Sequence, residues 1–255
     1  MGVSGRIHSV ETFGAVDGPG IRYVVFLQGC ALRCKYCHNP DSWHLGCGTE
    51  TDSETLVRDI LSYRQFIRSG GVTISGGEPL LQPQFTLDLI QRLQAAGIHT
   101  ALDTAGSVEV SHAKSVLDQV DMVLLDIKSI DDQMCWSLTG RSNVTTLATL
   151  DYLESIGKRV WLRHVLVPQW TLHDDHLQRL ADHLRSSRCI EQVELLPFHK
   201  MGEYKWKELG YHYSLLGTAE PSDEEIVHAR NIMEARGLKV LFREEKRVTS
   251  TQKIG

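Results

Sequence analysis

The sequence predicts an α/β protein built on a parallel sheet, an open or partial (β/α)6 TIM-like barrel. Three observations carry that expectation. Short β-branched runs alternate with longer helical patterns along almost all 255 residues, which calls for βαβ crossovers between strands running the same way. Six such units favour a barrel over a doubly wound sheet. Unusual residues also recur at the C-terminal ends of the strand candidates, the rim where parallel α/β barrels collect their reactive groups. At 42% hydrophobic residues the chain can bury one large core. No low-complexity linker divides it. One domain is expected over 1–255, with a core at about 16–242 and a polar tail at about 245–255 that is expected to fray.

The strand candidates are 21–27, 72–75, 98–102, 122–127, 160–167, 192–197 and 239–242, and the helix candidates 53–68, 83–96, 111–117, 143–155, 174–185 and 223–235. The first strand is an apolar run that leads straight into cysteines. The first helix opens on Asp52 or Ser53 as a lone cap, because Leu56 stands where a capping box needs a glutamate. In the second helix Phe85, Leu89, Leu93 and Ala96 recur at helical spacing, and Gly97 supplies the stop.

Composition excludes several classes. Lys and Arg number 27 against 32 Asp and Glu, a formal charge of −5, which speaks against nonspecific nucleic-acid binding. Arg6, His8 and Glu11 come early and no apolar stretch precedes them, so no secretory signal is expected. No apolar run approaches the length of a membrane span. The six cysteines form no disulfide-like framework, and thiolate ligands need a reducing compartment, so a cytoplasmic location is expected.

Cys30, Cys34 and Cys37 directly follow the first strand. Three thiolates this close can hold three irons of a cubane iron–sulfur cluster. Electron-transfer clusters usually take four cysteines, so a missing fourth leaves one iron open for chemistry. The alternative is zinc, with Cys47, His38 or His44 as fourth ligand. Zinc sites more often show two separated cysteine pairs, and no second pair is present.

Further groups follow the later strands. Gly76-Gly77-Glu78-Pro79 ends the second, Asp103-Thr104 the third and Asp126-Ile127-Lys128 the fourth. Arg163 lies within the fifth, and His199 ends the sixth. Paired glycines let a backbone approach a ligand or adopt positive φ. Two carboxylates facing one cavity can bind an ammonium, a ribose or a cation, or can simply cap the segments that follow. Lys128 emerges on the same strand face as Asp126 and can pair with a ligand carboxylate or with Asp126 itself. Cys135 and Cys189 read as small buried apolar residues. His112, His173, His176, His183 and His228 fall on helical stretches with no assigned role.

With the cysteine loop, the N-terminal run Gly-Arg-Ile-His-Ser-Val-Glu-Thr-Phe-Gly-Ala-Val-Asp-Gly-Pro-Gly-Ile-Arg resembles the branch of the radical S-adenosylmethionine (SAM) family that activates glycyl-radical enzymes. Gly-Gly-Glu at 76–78, Leu-Asp-Thr at 102–104, Leu-Asp-Ile-Lys at 125–128, Trp-Leu-Arg-His-Val-Leu-Val-Pro at 161–168 and Leu-Leu-Pro-Phe-His at 195–199 extend the likeness. With Met201-Gly202 and Lys205-Trp206 it spans 5–242.

The resemblance implies the radical SAM fold and a [4Fe–4S] cluster on Cys30, Cys34 and Cys37, with SAM on the open iron. It implies Tyr36, Cys37 and His38 on the adenine side. Gly77, Asp103, the segment Asp126, Ile127 and Lys128, and His199 would take the rest of SAM. A monovalent cation on Asp103, Thr104 and Asp126 follows by the same analogy. The activity implied is reductive cleavage of SAM to a 5′-deoxyadenosyl radical that takes a glycine Cα hydrogen. A flavodoxin-like or ferredoxin-like protein would supply the electron. Activases of dehydratases and decarboxylases often carry an inserted cluster module. Here the interval up to Gly76 holds only Cys47, which points to pyruvate formate-lyase as protein substrate. Trp206 is read either as an aromatic anchor for that partner or as packed into its own loop.

Overall fold

In the computed structural model, which describes residues 2–241, the chain builds one continuous nine-stranded sheet. The strands and helices, in chain order, are β1 (Ser4–Gly14), β2 (Arg22–Leu27), β3 (Thr49–Asp52), α1 (Ser53–Ser62), β4 (Gly71–Gly76), α2 (Pro83–Ala95), β5 (Thr100–Thr104), α3 (Val110–Gln119), β6 (Met122–Asp126), α4 (Asp132–Thr139), α5 (Val144–Ser155), β7 (Arg159–Leu166), α6 (Asp174–Leu184), β8 (Ile190–Pro197), α7 (Glu203–Glu208), α8 (Asp223–Glu234) and β9 (Val240–Leu241). The sheet order is β3-β1-β2-β4-β5-β6-β7-β8-β9 and the barrel does not close. From β2 to β9 neighbouring strands are parallel, so six βα units form the expected partial barrel, with β9 as a short seventh parallel strand.

The structure adds what periodicity did not show. β1 pairs antiparallel with both β2 and β3. Its outward residues are largely exposed, so its pattern lacks the apolar alternation of a buried strand. α1 stops at Ser62 rather than 68. There Tyr63 packs on Tyr23 with ring centroids 5.5 Å apart, and the following turn buries Ile67. Asp52 caps α1 alone, accepting from the amides of Glu54 and Thr55. The capping box lies instead at Ser222 and Glu225 of α8. The expected polar tail at 245–255 lies outside the described residues, as does Phe242.

Strand alternation sorts side chains into two layers. Outward residues such as Val25, Ile74, Leu102, Val123, Leu125, Ile127 and Leu162 join Phe85, Leu89, Leu93 and Leu180 of the helices in one aliphatic core. Inward residues alternate with these. Toward the N-terminal ends they are apolar, with Ala101, Met122 and Leu124 packed against Trp161. Toward the C-terminal ends they are Asp103, Asp126, Arg163 and Glu194. No helix among the described residues is long and apolar enough to cross a membrane.

Candidate active site

The cysteine loop is held from three sides by backbone hydrogen bonds. The Gly29 and Cys30 amides donate to the Ser42 and Trp43 carbonyls, at 2.7 and 3.1 Å. The Arg33 and Lys35 amides donate to the carbonyls of Thr139 and Leu138 at the end of α4, at 2.7 and 2.9 Å. The Trp206 indole donates to the Cys37 carbonyl at 2.8 Å. Trp206 is therefore a buried prop of the loop; it packs against Trp43 and Tyr213 at 5.1 and 5.3 Å. Of the two readings offered by the sequence, packing within its own region holds.

The Gly76–Glu78 turn leans on the same loop. The Gly77 amide donates to the Leu27 carbonyl at 2.8 Å and the Glu78 amide to the Gly29 carbonyl at 2.7 Å. A Cβ on Gly77 would stand 2.1 Å from the Gly29 oxygen, so this glycine is fixed by contact with the loop, while Gly76 takes the positive φ of +118°. Glu78 is fully buried. Its carboxylate accepts from the Thr104 hydroxyl at 2.6 Å, the Ala105 amide at 3.1 Å and the Ser107 hydroxyl at 3.2 Å. Burial raises its pKa while these bonds pull it down.

A cleft of about 400 Å3 opens at this end of the barrel, a size common for small-molecule sites. It brings together Cys30, Cys34, Tyr36, Cys37, His38, Gly77, Asp103, Thr104, Asp126, Lys128 and His199. Ile127 does not line it. Strand alternation turns its side chain into the aliphatic core, and its amide donates to the Arg163 carbonyl at 3.1 Å. Apart from the Arg163–Glu194 ion pair, three residues lining it carry a buried polar atom with no hydrogen-bond partner among the described residues: the Tyr36 hydroxyl, Asp103 Oδ1 and His199 Nδ1. Such atoms are costly to bury unless something else meets them.

The floor carries charges that the sequence flagged only in part. Arg163 bridges Asp103 at 3.1 Å and Glu194 at 3.2 Å, and the Ser75 hydroxyl donates to Asp103 at 2.7 Å. Burial raises the Asp103 carboxyl, against the pull of Arg163. Lys128 sits 3.0 Å from Asp126, with 16% and 15% of the two side chains exposed. Burial is the largest single influence on the Lys128 ammonium and opposes it, but Asp126 together with the neighbouring Tyr36 and Cys34 outweighs it and holds the lysine well above its ordinary pKa. Asp17, Asp103, Asp126 and Glu194 thus line the cleft against Lys128 and Arg163, an excess of two negative charges when all are ionised, which favours a ligand bearing positive charge. Glu194, Ser75 and Asp17 went unread. The inward parity of Ser75 and Glu194 on their strands was legible, but not the meeting of Ser75 with Asp103 or of Glu194 with Arg163.

The cysteines fit a cluster better than zinc. All three open on one cleft, while Cys47 is exposed and does not line it. His38 Nε2 lies 3.2 Å from the His199 carbonyl and His44 Nε2 lies 3.1 Å from the Tyr211 hydroxyl, so both rings have other partners. Among the described residues no three His, Cys, Asp or Glu side chains converge on one ion position. Burial pushes Cys30 up to about 12, helped by Glu78, and also raises Cys34 and Cys37. These thiols stay protonated until a metal centre displaces their protons.

Fold, cysteine loop and cleft together define a radical SAM protein, and comparison with known proteins agrees: the chain belongs to the radical SAM superfamily, whose pattern it matches over residues 24–181. Two of its curated relatives within that superfamily bear one name. It is 42% identical over 246 residues to the pyruvate formate-lyase 1-activating enzyme of Escherichia coli (strain K12), covering 95% of this chain and 100% of that one. It is 46% identical over 215 residues to the pyruvate formate-lyase-activating enzyme of Clostridium pasteurianum, covering 84% and 90%. Among solved structures, a domain of pyruvate-formate lyase-activating enzyme from Bacteroides vulgatus superposes with a TM-score of 0.58 at 26% identity, covering 68% of this chain and 98% of that one.

Proposed function

We propose that this protein activates pyruvate formate-lyase by placing a radical on one of its glycines. The observation that carries the reading is the donor set: among the described residues three thiols and no fourth line a cleft whose wall holds polar atoms with no hydrogen-bond partner among those residues. Relatives that span nearly the whole chain and bear that activity in their names support the choice of partner.

In this reading Cys30, Cys34 and Cys37 hold a [4Fe–4S] cluster. When bound, the cluster and SAM supply the one-electron cleavage that yields methionine and a 5′-deoxyadenosyl radical, which takes the glycine Cα hydrogen. The chain's own groups bind and orient. Lys128 meets the SAM carboxylate, while Asp126 and the Gly77 turn take its amino end. Tyr36, His38 and His199 flank the adenine; the two histidine rings lie 4.2 Å apart. Ile127 contributes through its peptide rather than its side chain. A monovalent cation has Asp103 and Asp126 as its stronger donors, because they are carboxylates, whereas the Thr104 hydroxyl is neutral and already accepts from the Gly106 amide at 2.9 Å. A flavodoxin-like or ferredoxin-like protein delivers the electron. A reducing cytoplasm keeps the thiols competent.

The test is anaerobic reconstitution with iron and sulfide, followed by EPR of the reduced protein with and without SAM, and then with pyruvate formate-lyase. A brown protein, a signal that changes with SAM and a glycyl doublet on pyruvate formate-lyase are expected. A colourless zinc protein, or a cluster indifferent to SAM, overturns the chemistry. A doublet that forms only on another glycyl-radical enzyme overturns the partner.

A further inference from the structure

His164 lies on the outer face of β7, away from the cleft and wholly buried. The parallel ladder between β6 and β7 ends where Asp126 pairs with Arg163. Past that point the Ile127 amide still donates to the Arg163 carbonyl at 3.1 Å. The Ile127 carbonyl meets an imidazole, His164 Nδ1, at 2.7 Å. A carbonyl only accepts, so Nδ1 carries the hydrogen. The side chain of His164 thus stands in for the next rung of the ladder and carries strand order one peptide beyond the strand.

The surroundings leave this ring little else to do. His176 of α6 stacks on it, with centroids 5.3 Å apart and planes 21° from parallel. Burial lowers both rings, to about 4 and about 3, so both are neutral. His164 Nε2 and both His176 nitrogens are buried without a hydrogen bond among the described residues. An aliphatic side chain would fill the same space without idle polar atoms. What the imidazole adds is the bond to Ile127. That peptide sits between Asp126 and Lys128, whose side chains point into the cleft as a 3.0 Å ion pair.

We infer that His164 is a positioning residue: by clamping the Ile127 peptide it sets the Asp126–Lys128 pair, and through it the amino-acid end of SAM. This rests on the SAM-binding reading given above. The test measures binding by calorimetry on cluster-loaded protein, together with iron content and the KM and kcat of methionine formation. His164→Leu keeps the bulk and removes the donor; His164→Asn keeps a donor where Nδ1 stands. The leucine variant should bind SAM about tenfold more weakly, the share of one hydrogen bond, with a matching rise in KM and little change in kcat or iron. The asparagine variant should return to within about threefold of the wild type. 5′-Methylthioadenosine, which lacks the amino-acid end, should bind wild type and variant alike. If leucine prevents cluster loading, His164→Phe, which keeps a flat ring against His176, is measured instead and should show the same loss. SAM affinity equal to wild type in a donor-free variant overturns the inference, as does an equal loss for both ligands. A wild type that does not bind SAM overturns the SAM-binding reading itself.

Discussion

Two apolar regions of this molecule do different work. Between sheet and helices lies a large core in which aliphatic side chains predominate, Val25, Ile74, Leu89, Leu102, Leu125 and Leu162 among them. Beneath the cysteine loop lies a smaller cluster built from Leu32, Cys34, Tyr36, Trp43, Phe198, Trp206 and Tyr213. The first is supplied by regular elements, each giving one face at a fixed period. The second is supplied mainly by loops and short helices, and it is rich in aromatic rings whose polar edges can bond backbone. One region makes the barrel stable; the other makes one loop rigid. Stability and site geometry therefore draw on separate residues.

The largest test of that separation uses sulfur. Cys30→Ala, Cys34→Ala and Cys37→Ala should each abolish SAM cleavage and strip the iron, whereas Cys189→Ala, a buried cysteine of the aliphatic core, should keep both. Cys47→Ala should also keep both, and loss of iron there would make Cys47 a fourth ligand. Iron content and methionine formation in the same preparations decide it.

Leu89→Ala comes next. It empties a fully buried position in α2, and an unfolding free energy lower by about 2–5 kcal/mol in urea is expected. SAM affinity per folded molecule should stay unchanged. If affinity falls as well, core and cleft are one cooperative unit and the comparison breaks.

Trp206→Phe probes the other region more gently. It keeps a ring against Trp43 but loses the bond to the Cys37 carbonyl, worth about 1 kcal/mol. Iron should leave severalfold faster in a chelator, with the melting temperature lower by no more than about 2–4 °C. A large drop in melting temperature with unchanged iron release would assign Trp206 to the general core.

The smallest effect lies at the edge of the aliphatic core, next to Cys189. Glu154 of α5 accepts from the Cys189 and Arg188 amides at 2.9 and 3.0 Å and from the Ser187 hydroxyl at 3.1 Å, which holds its carboxyl down at about 2. A carboxylate depressed in the folded state stabilises above its unfolded pKa of about 4.3 and loses that contribution as pH falls through the folded value. Glu154→Gln should cost about 1 kcal/mol at pH 7, the site being partly open to solvent. The gap to wild type should be flat from about pH 5 to 8 and close between about pH 4 and 2. A gap that persists at pH 2 would mean packing rather than charge.

The same division explains what could be read from the sequence. Period-two alternation places Asp103, Asp126, Lys128 and Arg163 on the inner face and Ile127 on the outer one, so the barrel and most of its rim were legible. The supports of the cysteine loop were not. α4 holds that loop through the carbonyls of Leu138 and Thr139, and a carbonyl looks the same behind any side chain. Trp206 could face a partner or its own loop until the fold brought Cys37 beneath it. His164 and His176 sit on elements remote in sequence from Lys128, and only the fold joins them.

Arg163 carries one last consequence. Its guanidinium is tied to β5 through Asp103 and to β8 through Glu194, and its carbonyl holds the peptide after β6. A side chain anchored at both ends loses its rotamer freedom when the chain folds, not when a ligand arrives. The floor of the cleft is then a mould set in advance, with little left to order on binding. Its ion pairs are sheltered from salt, so its shape, and with it the place offered to a charged ligand, holds across a wide range of ionic strength.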